Sequence, residues 1–334
     1  MSAQDAAQKI YDDAIVIDGL NVSNWESPAV YKSLHASGVT AINATTAVWE
    51  NFPQTMDNIA AWIRRFREYE SVLVQATSVK DILKAKEDGK TGIIIGWQNA
   101  SPIENHLDRL ALFHALGVRI IQVTYNERNF LGNGCFERTD EGLSKFGVDA
   151  IKEMNRLGIL PDLSHVGDRT TLEVIEVSEK PVAITHSNAR AFFHHVRNKT
   201  DEALKALAEK GGVIGANAFP SHLRNQFEST LQDYVDSIED LIGRIGIDHV
   251  GIGTDYTQDQ DSAFFDWIFS QQGTKYQGRD VAYPDPLVHP KGMETPDKLS
   301  NVAQELMDRG YSGEDVTKVL GGNWLRLFEQ VWGE

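Results

Sequence analysis

The sequence predicts an α/β fold, a (β/α)8 TIM barrel, and three observations carry that expectation. Short apolar runs rich in β-branched residues alternate with stretches in which apolar residues recur at helical spacing. Several runs end in polar residues, as buried parallel strands do where they emerge at the catalytic face of a barrel. No glycine-rich phosphate loop follows an early strand, which counts against an open nucleotide-binding sheet.

The elements follow in order. Residues 1–13 are polar and helix-prone, without an apolar signal core. Strands are expected at 14–20, 40–46, 92–98, 119–125, 160–165, 182–187, 212–218 and 249–255. A ninth run, 72–77, falls between the helix after the second strand and the next strong apolar run, so it is expected outside the ring. Between the strands lie amphipathic stretches such as MDNIAAWIRRFREYE, HLDRLALFHALG, VDAIKEMNRLG and TLEVIEVSE, with Gly117 and Gly158 as C-terminal stops. Two stretches break the rhythm, 126–145 and 256–293. Both follow strand C-termini, and they read either as functional lids or as surface excursions and oligomer contacts. Residues 312–332 read as two short helices divided by Gly321-Gly322, and the whole, 1–334, as one domain.

Composition narrows the function. The 334 residues are 41% hydrophobic and 24% charged, ordinary for a globular chain. Against 32 basic residues stand 48 acidic ones, a net charge of −16 without a basic cluster, so neither nucleic acid nor an anionic membrane is an expected partner. The single cysteine, Cys135, excludes an internal disulfide and suits a reducing, cytoplasmic setting. It has no helix or basic flank to activate it. No window approaches the ~20 consecutive apolar residues of a membrane span.

The side chains at strand C-termini should converge in one cup. The first strand offers Leu20 and Val22, the third Gln98 and Asn99, and the fourth Tyr125 and Asn126. The fifth ends at His165, the sixth at His186 and the eighth at Asp255. A lone histidine there is ordinarily a hydrogen-bonded structural residue. Two on adjacent strands with an aspartate on a third match a common ligand set for zinc. His35, His106 and His114 fall in helical patterns, and His249 opens a strand at the wrong end. His194 and His195 lie in the loop after the sixth strand, within reach of a substrate. Trp25, Trp49, Trp97 and Tyr125 are candidates for the pocket wall or for core packing.

The stretches IVIDG, LGVR, GLSKFGVDAIKEMNRLGILPDLSHVG, PVAITHSNAR, VGIGTDY and GGNWLRLFEQV resemble the membrane (renal) dipeptidase family, peptidase M19 of the amidohydrolase superfamily, over nearly the whole length. The resemblance implies a (β/α)8 TIM barrel of the metal-dependent hydrolase type that cleaves dipeptides and related amides, carries two zinc ions and forms a homodimer. It implies His165 and His186 as ligands of the second metal. It implies Asp255 as the group that handles the proton of the attacking water, and Arg197 as the holder of the substrate carboxylate. The family's first-strand His-x-Asp is absent, because its positions are Leu20 and Val22. Its bridging glutamate falls on Gln98 and its substrate-contacting histidine on Tyr125.

Leucine and valine cannot ligate a metal, and a glutamine oxygen is a poor substitute for a bridging carboxylate. A two-metal site is therefore not expected. At most one zinc or other divalent ion is, on His165 and His186 with Gln98 or Asp255 as a third donor. The favoured reading is hydrolysis of a small carboxylate-bearing amide or dipeptide. In it Asp255 is the base, and Arg197, Tyr125, Asn126 and Gln98 contact substrate. Two others stay open: a metal-independent lyase or decarboxylase, and a degenerate barrel that only binds a ligand.

Overall fold

A computed structural model describes residues 3–272, 275–276, 284 and 286–333. Nine parallel strands form the main sheet: β1 Ile17–Asn21, β2 Ala41–Thr45, β3 Leu73–Gln75, β4 Thr91–Trp97, β5 Val118–Gln122, β6 Leu160–Asp162, β7 Ala183–Ser187, β8 Val213–Asn217 and β9 Val250–Gly253. Eight of them close a ring. β4 pairs directly with β2, from Ala41 opposite Gly92 to Thr45 opposite Gly96, and β9 returns to β1 at Asp18 opposite Ile252. β3 lies outside the ring on the first residues of β4, with Leu73 opposite Thr91. This is the expected (β/α)8 barrel with its extra strand.

The strands are shorter than the apolar runs suggest. β6 stops at Asp162 and β5 at Gln122, so His165 and Tyr125 sit on the turns beyond them. His106 precedes the helix Asp108–Ala115 instead of lying in it. Local chemistry explains where helices begin and end. Asn51 and Gln54 form a reciprocal capping box for Phe52–Glu68. Gly158 closes Lys145–Leu157 with φ 77°, a conformation that costs a residue with Cβ but not glycine.

The bottom of the ring is plugged. Ile17, Ala41, Ile94, Ile120, Leu160, Ala183 and Val213, one from each of seven ring strands, pack around Trp324, Leu327 and Phe328 of the C-terminal helix Asn323–Trp332. Trp324 Nε1–H donates to the Ile252 carbonyl at 2.9 Å. Each fully buried side chain of this size contributes ~1.5–3 kcal/mol. The helix Gly313–Thr317 leads into this one across a kink at Gly321, where a Cβ would run into the Ile15 carbonyl. Space for a ligand is thereby confined to the opposite mouth.

Two long loops roof that mouth. Residues 126–145 are tied down through Cys135 N–H to the His165 carbonyl (2.8 Å) and Asp140 to Thr170 (2.6 Å). The stretch 256–293 carries a helix, Ser262–Ile268, that the sequence pattern did not single out. Phe265 and Ile268 from it pack with Tyr125 and Phe219, and Trp49 Nε1–H donates to the Ile268 carbonyl at 3.1 Å. Positions 273–274, 277–283 and 285 of that stretch lie outside the described residues. No helix among the described residues is long and apolar enough to cross a membrane.

Candidate active site

Two buried aspartates set the rim. Asp162, the last residue of β6, accepts the Ser164 and Thr185 N–H groups on Oδ1 (3.1 and 2.9 Å) and the Thr185 hydroxyl on Oδ2 (2.6 Å). Asp18 on β1 accepts the Leu20 and Thr254 N–H groups on Oδ1 (3.4 and 2.7 Å) and the Thr254 hydroxyl on Oδ2 (2.6 Å). Each clip joins neighbouring strands. The residue after each clipped threonine is one of the predicted chemical residues, His186 or Asp255. Burial raises both clip carboxyls, Asp18 to about 6, while the donated hydrogen bonds oppose the shift.

His165 and His186 face each other, Nε2 to Nε2, at 3.1 Å. Their partners define the ring protons. His165 Nδ1 meets Asn126 at 2.7 Å, and with the amide oxygen toward the ring, as placed, Nδ1 carries the proton. The Thr185 hydroxyl has given its hydrogen to Asp162, so toward His186 Nδ1, at 2.8 Å, it can only accept. Both Nε2 atoms therefore carry lone pairs and no proton. Burial first, then Arg197, holds both imidazoles well below their ordinary pKa, so neither is charged at neutral pH.

Two bare nitrogens in contact repel unless a cation lies between them. Nitrogens bound at ~2.0–2.1 Å to one zinc ion with tetrahedral angles lie ~3.3 Å apart, close to the separation here. The pair therefore fits a single divalent ion, with Asn126 and Thr185, on the far nitrogens, orienting the two rings. Among the described residues no group of three or more His, Cys, Asp or Glu side chains could hold a metal. Gln98 Nε2 is anchored to Thr45 Oγ1 at 3.1 Å.

The mouth is a cavity of about 280 Å³. Gln98, Tyr125, Asn126, His165, Arg197 and Asp255 line it. His186 lies beneath, fully buried. Burial pushes the Asp255 carboxyl up to about 7, against the pull of Arg197 and a hydrogen bond from Asn217. Asp255 and Asn126 both hold left-handed backbone, φ 57° and 50°, which Asp and Asn tolerate better than most residues and which recurs at functional sites. Arg197 lies under the rim, with Nη1 on the Ser164 carbonyl and Nη2 on the His186 carbonyl (2.9 Å). Tyr125 stacks on His165, ring centroids 4.1 Å apart, and meets Trp49 edge-on.

Two of the aromatic candidates sit elsewhere. Trp97 is core, packed on Phe113. Trp25 lines a separate cavity of about 160 Å³ with Trp62, Arg65 and Trp267, parted from the first by Val22. Leu20 is buried and does not line the mouth; Val22 does. His195 lines the cavity and His194 does not. His222, which no strand pattern singled out, also lines it, along with Phe136, Phe219, Phe265 and Phe269. His222 stands on the turn Pro220–His222 after β8, and its only sequence signal is that place after a strand end.

Residues 23–264 and 263–332 match the model of the membrane dipeptidase family, peptidase family M19. The chain is 30% identical over 266 residues to dipeptidase tcpJ of Claviceps purpurea, covering 79% of this chain and 56% of that one. It is 31% identical over 287 residues to dipeptidase aclJ of Aspergillus oryzae, covering 83% and 60%. The chain thus spans little more than half the length of these curated relatives. The crystal structure of an amidohydrolase from Pseudomonas aeruginosa superposes with a TM-score of 0.94 at 40% identity, covering 98% of this chain and 99% of that one.

Proposed function

The chain belongs to the membrane dipeptidase family, peptidase family M19, and on that premise we propose that it hydrolyses dipeptides or related small amides bearing a carboxylate, with one divalent ion. The observation that carries this reading is the facing pair of Nε2 atoms, of His165 and His186, 3.1 Å apart beneath the same cavity as Asp255. His165 and His186 would hold the ion, which supplies Lewis acidity toward the scissile carbonyl and the attacking water.

The protein's own groups do the rest. Asp255 takes a proton from the water as the oxygen adds to the carbonyl carbon. It returns that proton to the amine nitrogen as the C–N bond breaks. A carboxyl that titrates near 7 suits both tasks at neutral pH. Arg197 draws the substrate carboxylate to one side of the cavity, and Tyr125 and the phenylalanines take its apolar part. The volume, about 280 Å³, suits a dipeptide better than a longer chain. A homodimer, implied by the family resemblance, and a cytoplasmic location, suited to a single cysteine, complete the proposal.

Purified protein supplied with zinc and a dipeptide such as glycyl-L-phenylalanine tests it. Release of both amino acids, lost in His186→Ala and in Asp255→Asn, is the expected result. Absence of cleavage across a dipeptide panel, with metal bound, overturns it.

A further inference from the structure

His222 lines the cavity, and the hydrolytic scheme does not use it. Its neighbours fix where its proton sits. Asn217 Oδ1 accepts the Phe219 backbone N–H at 2.5 Å, and Asn217 Nδ2 faces the His186 carbonyl at 3.3 Å. A backbone N–H only donates and a carbonyl only accepts, so this amide cannot be turned round. The same Nδ2, which can only donate, lies 3.3 Å from His222 Nδ1, so that nitrogen faces it without a proton. The ring proton is therefore on Nε2, which among the described residues has no hydrogen-bond partner. His222 brings a donor without a formal charge to the cavity wall.

Arg197 is the cationic side chain of that wall, and it is incompletely free. A guanidinium grips a carboxylate best with two parallel N–H bonds. Here both terminal nitrogens already hold backbone carbonyls, of Ser164 and His186, and Nε has no partner. Arg197 supplies charge, but its fork is occupied and its Nε–H is buried out of a ligand's reach. The His195 ring stands 4.8 Å from that of His222 and accepts the Arg197 backbone N–H on Nδ1 at 3.2 Å, which joins the two residues in one corner of the cavity. A second cation there would repel Arg197, whereas a neutral N–H donor does not.

We propose that the His222 Nε2–H is the second arm of a carboxylate clamp whose first arm is Arg197, and that His222 thereby sets the site's preference for substrates with a free carboxylate. This rests on the hydrolase reading only for the cavity in which the substrate lies. A charge-assisted hydrogen bond of this kind corresponds to roughly tenfold or more in affinity.

The test is calorimetric binding of a phosphinic analogue of glycyl-L-phenylalanine, as the free acid and as the C-terminal amide, to wild-type protein, His222→Phe and His222→Gln. Wild type should bind the acid about tenfold or more tightly than the amide. His222→Phe should lose about tenfold for the acid and less than about threefold for the amide, and His222→Gln, which keeps an N–H donor, should recover most of the loss. Thermal melting of the variants checks that they fold, and His222→Leu, with the same expected loss, carries the test if His222→Phe does not fold. Equal weakening of acid and amide, no weakening of either, or wild-type protein that binds neither or does not discriminate, overturns the clamp. Dipeptide cleavage is assayed alongside. Acid-specific dependence on His222 in a protein that cleaves nothing would refute hydrolysis and leave the clamp standing.

Discussion

Asp162 ties β6 to β7 in the way that Asp18 ties β1 to β9, yet the two walls present different chemistry. In both, one carboxylate takes the N–H two residues ahead, a threonine N–H across the ladder and that threonine's hydroxyl. Beyond the Asp162 clip stand His165 and His186. Beyond the Asp18 clip stand Asp255 on one strand and Leu20 and Val22 on the other. The scaffolding of the Asp18 wall is intact while its β1 positions, Leu20 and Val22, are aliphatic. Loss of donors at β1 is therefore a change of residue identity and not of backbone, and the asymmetry of the cup is chemical.

The largest effects expected from this comparison fall on the positions of either wall that kept polar side chains. His186→Ala should lower kcat/KM by at least about 10³-fold and abolish metal binding, since it removes one of two ligands. A variant that keeps both would remove the metal from the account. Asp255→Asn should cost ~10²- to 10⁴-fold in kcat while the metal stays bound. In the wild type, kcat/KM should fall as pH drops below about 7, because the base works only when deprotonated. A profile flat from pH 5 to 8 would show that another group takes the proton.

The two clips can be set against each other directly. Thr185→Val and Thr254→Val each deprive a buried carboxylate of a hydroxyl donor, at ~1–3 kcal/mol by chemical denaturation. Only Thr185→Val also removes the acceptor for His186 Nδ1, so it alone should lower metal affinity, by ~10- to 100-fold. Equal affinities in the two variants would mean that the Thr185 hydroxyl does not orient the ligand.

The smallest effect concerns stability. The folded-state carboxyl of Asp255 titrates near 7, above the ordinary value of 3.8. Between those values the folded chain holds a proton that the unfolded chain lacks, so this group's contribution to stability falls as pH rises from about 4 to 7 and stays low above. Asp255→Asn removes that penalty. It should raise the melting temperature at pH 8 and change it little at pH 4. A lower melting temperature at pH 8 would contradict the assignment.

Much of this was legible in the residues. The eight runs that close the ring, the ninth outside it, and the convergence of His165, His186 and Asp255 at one mouth follow from β-branched runs ending in polar residues. Strand ends were not legible. The Asp162 and Asp18 clips end the ladders early by drawing backbone N–H groups onto side chains, an event that no periodicity records. Trp97 and Trp25 could not be placed, because an aromatic beside a strand end serves a core as readily as a pocket. His222 was invisible because its role depends on the orientation of one amide, Asn217, which only coordinates reveal. Arg197 was foreseen as a cavity residue, but not that its terminal nitrogens hold backbone carbonyls.

Zinc stoichiometry tests the central claim most directly. Wild-type protein and His186→Ala are dialysed to equilibrium against zinc and analysed by elemental mass spectrometry. The account predicts about one ion per wild-type chain and none in the variant. Two ions per chain, none, or one retained without His186 would contradict it.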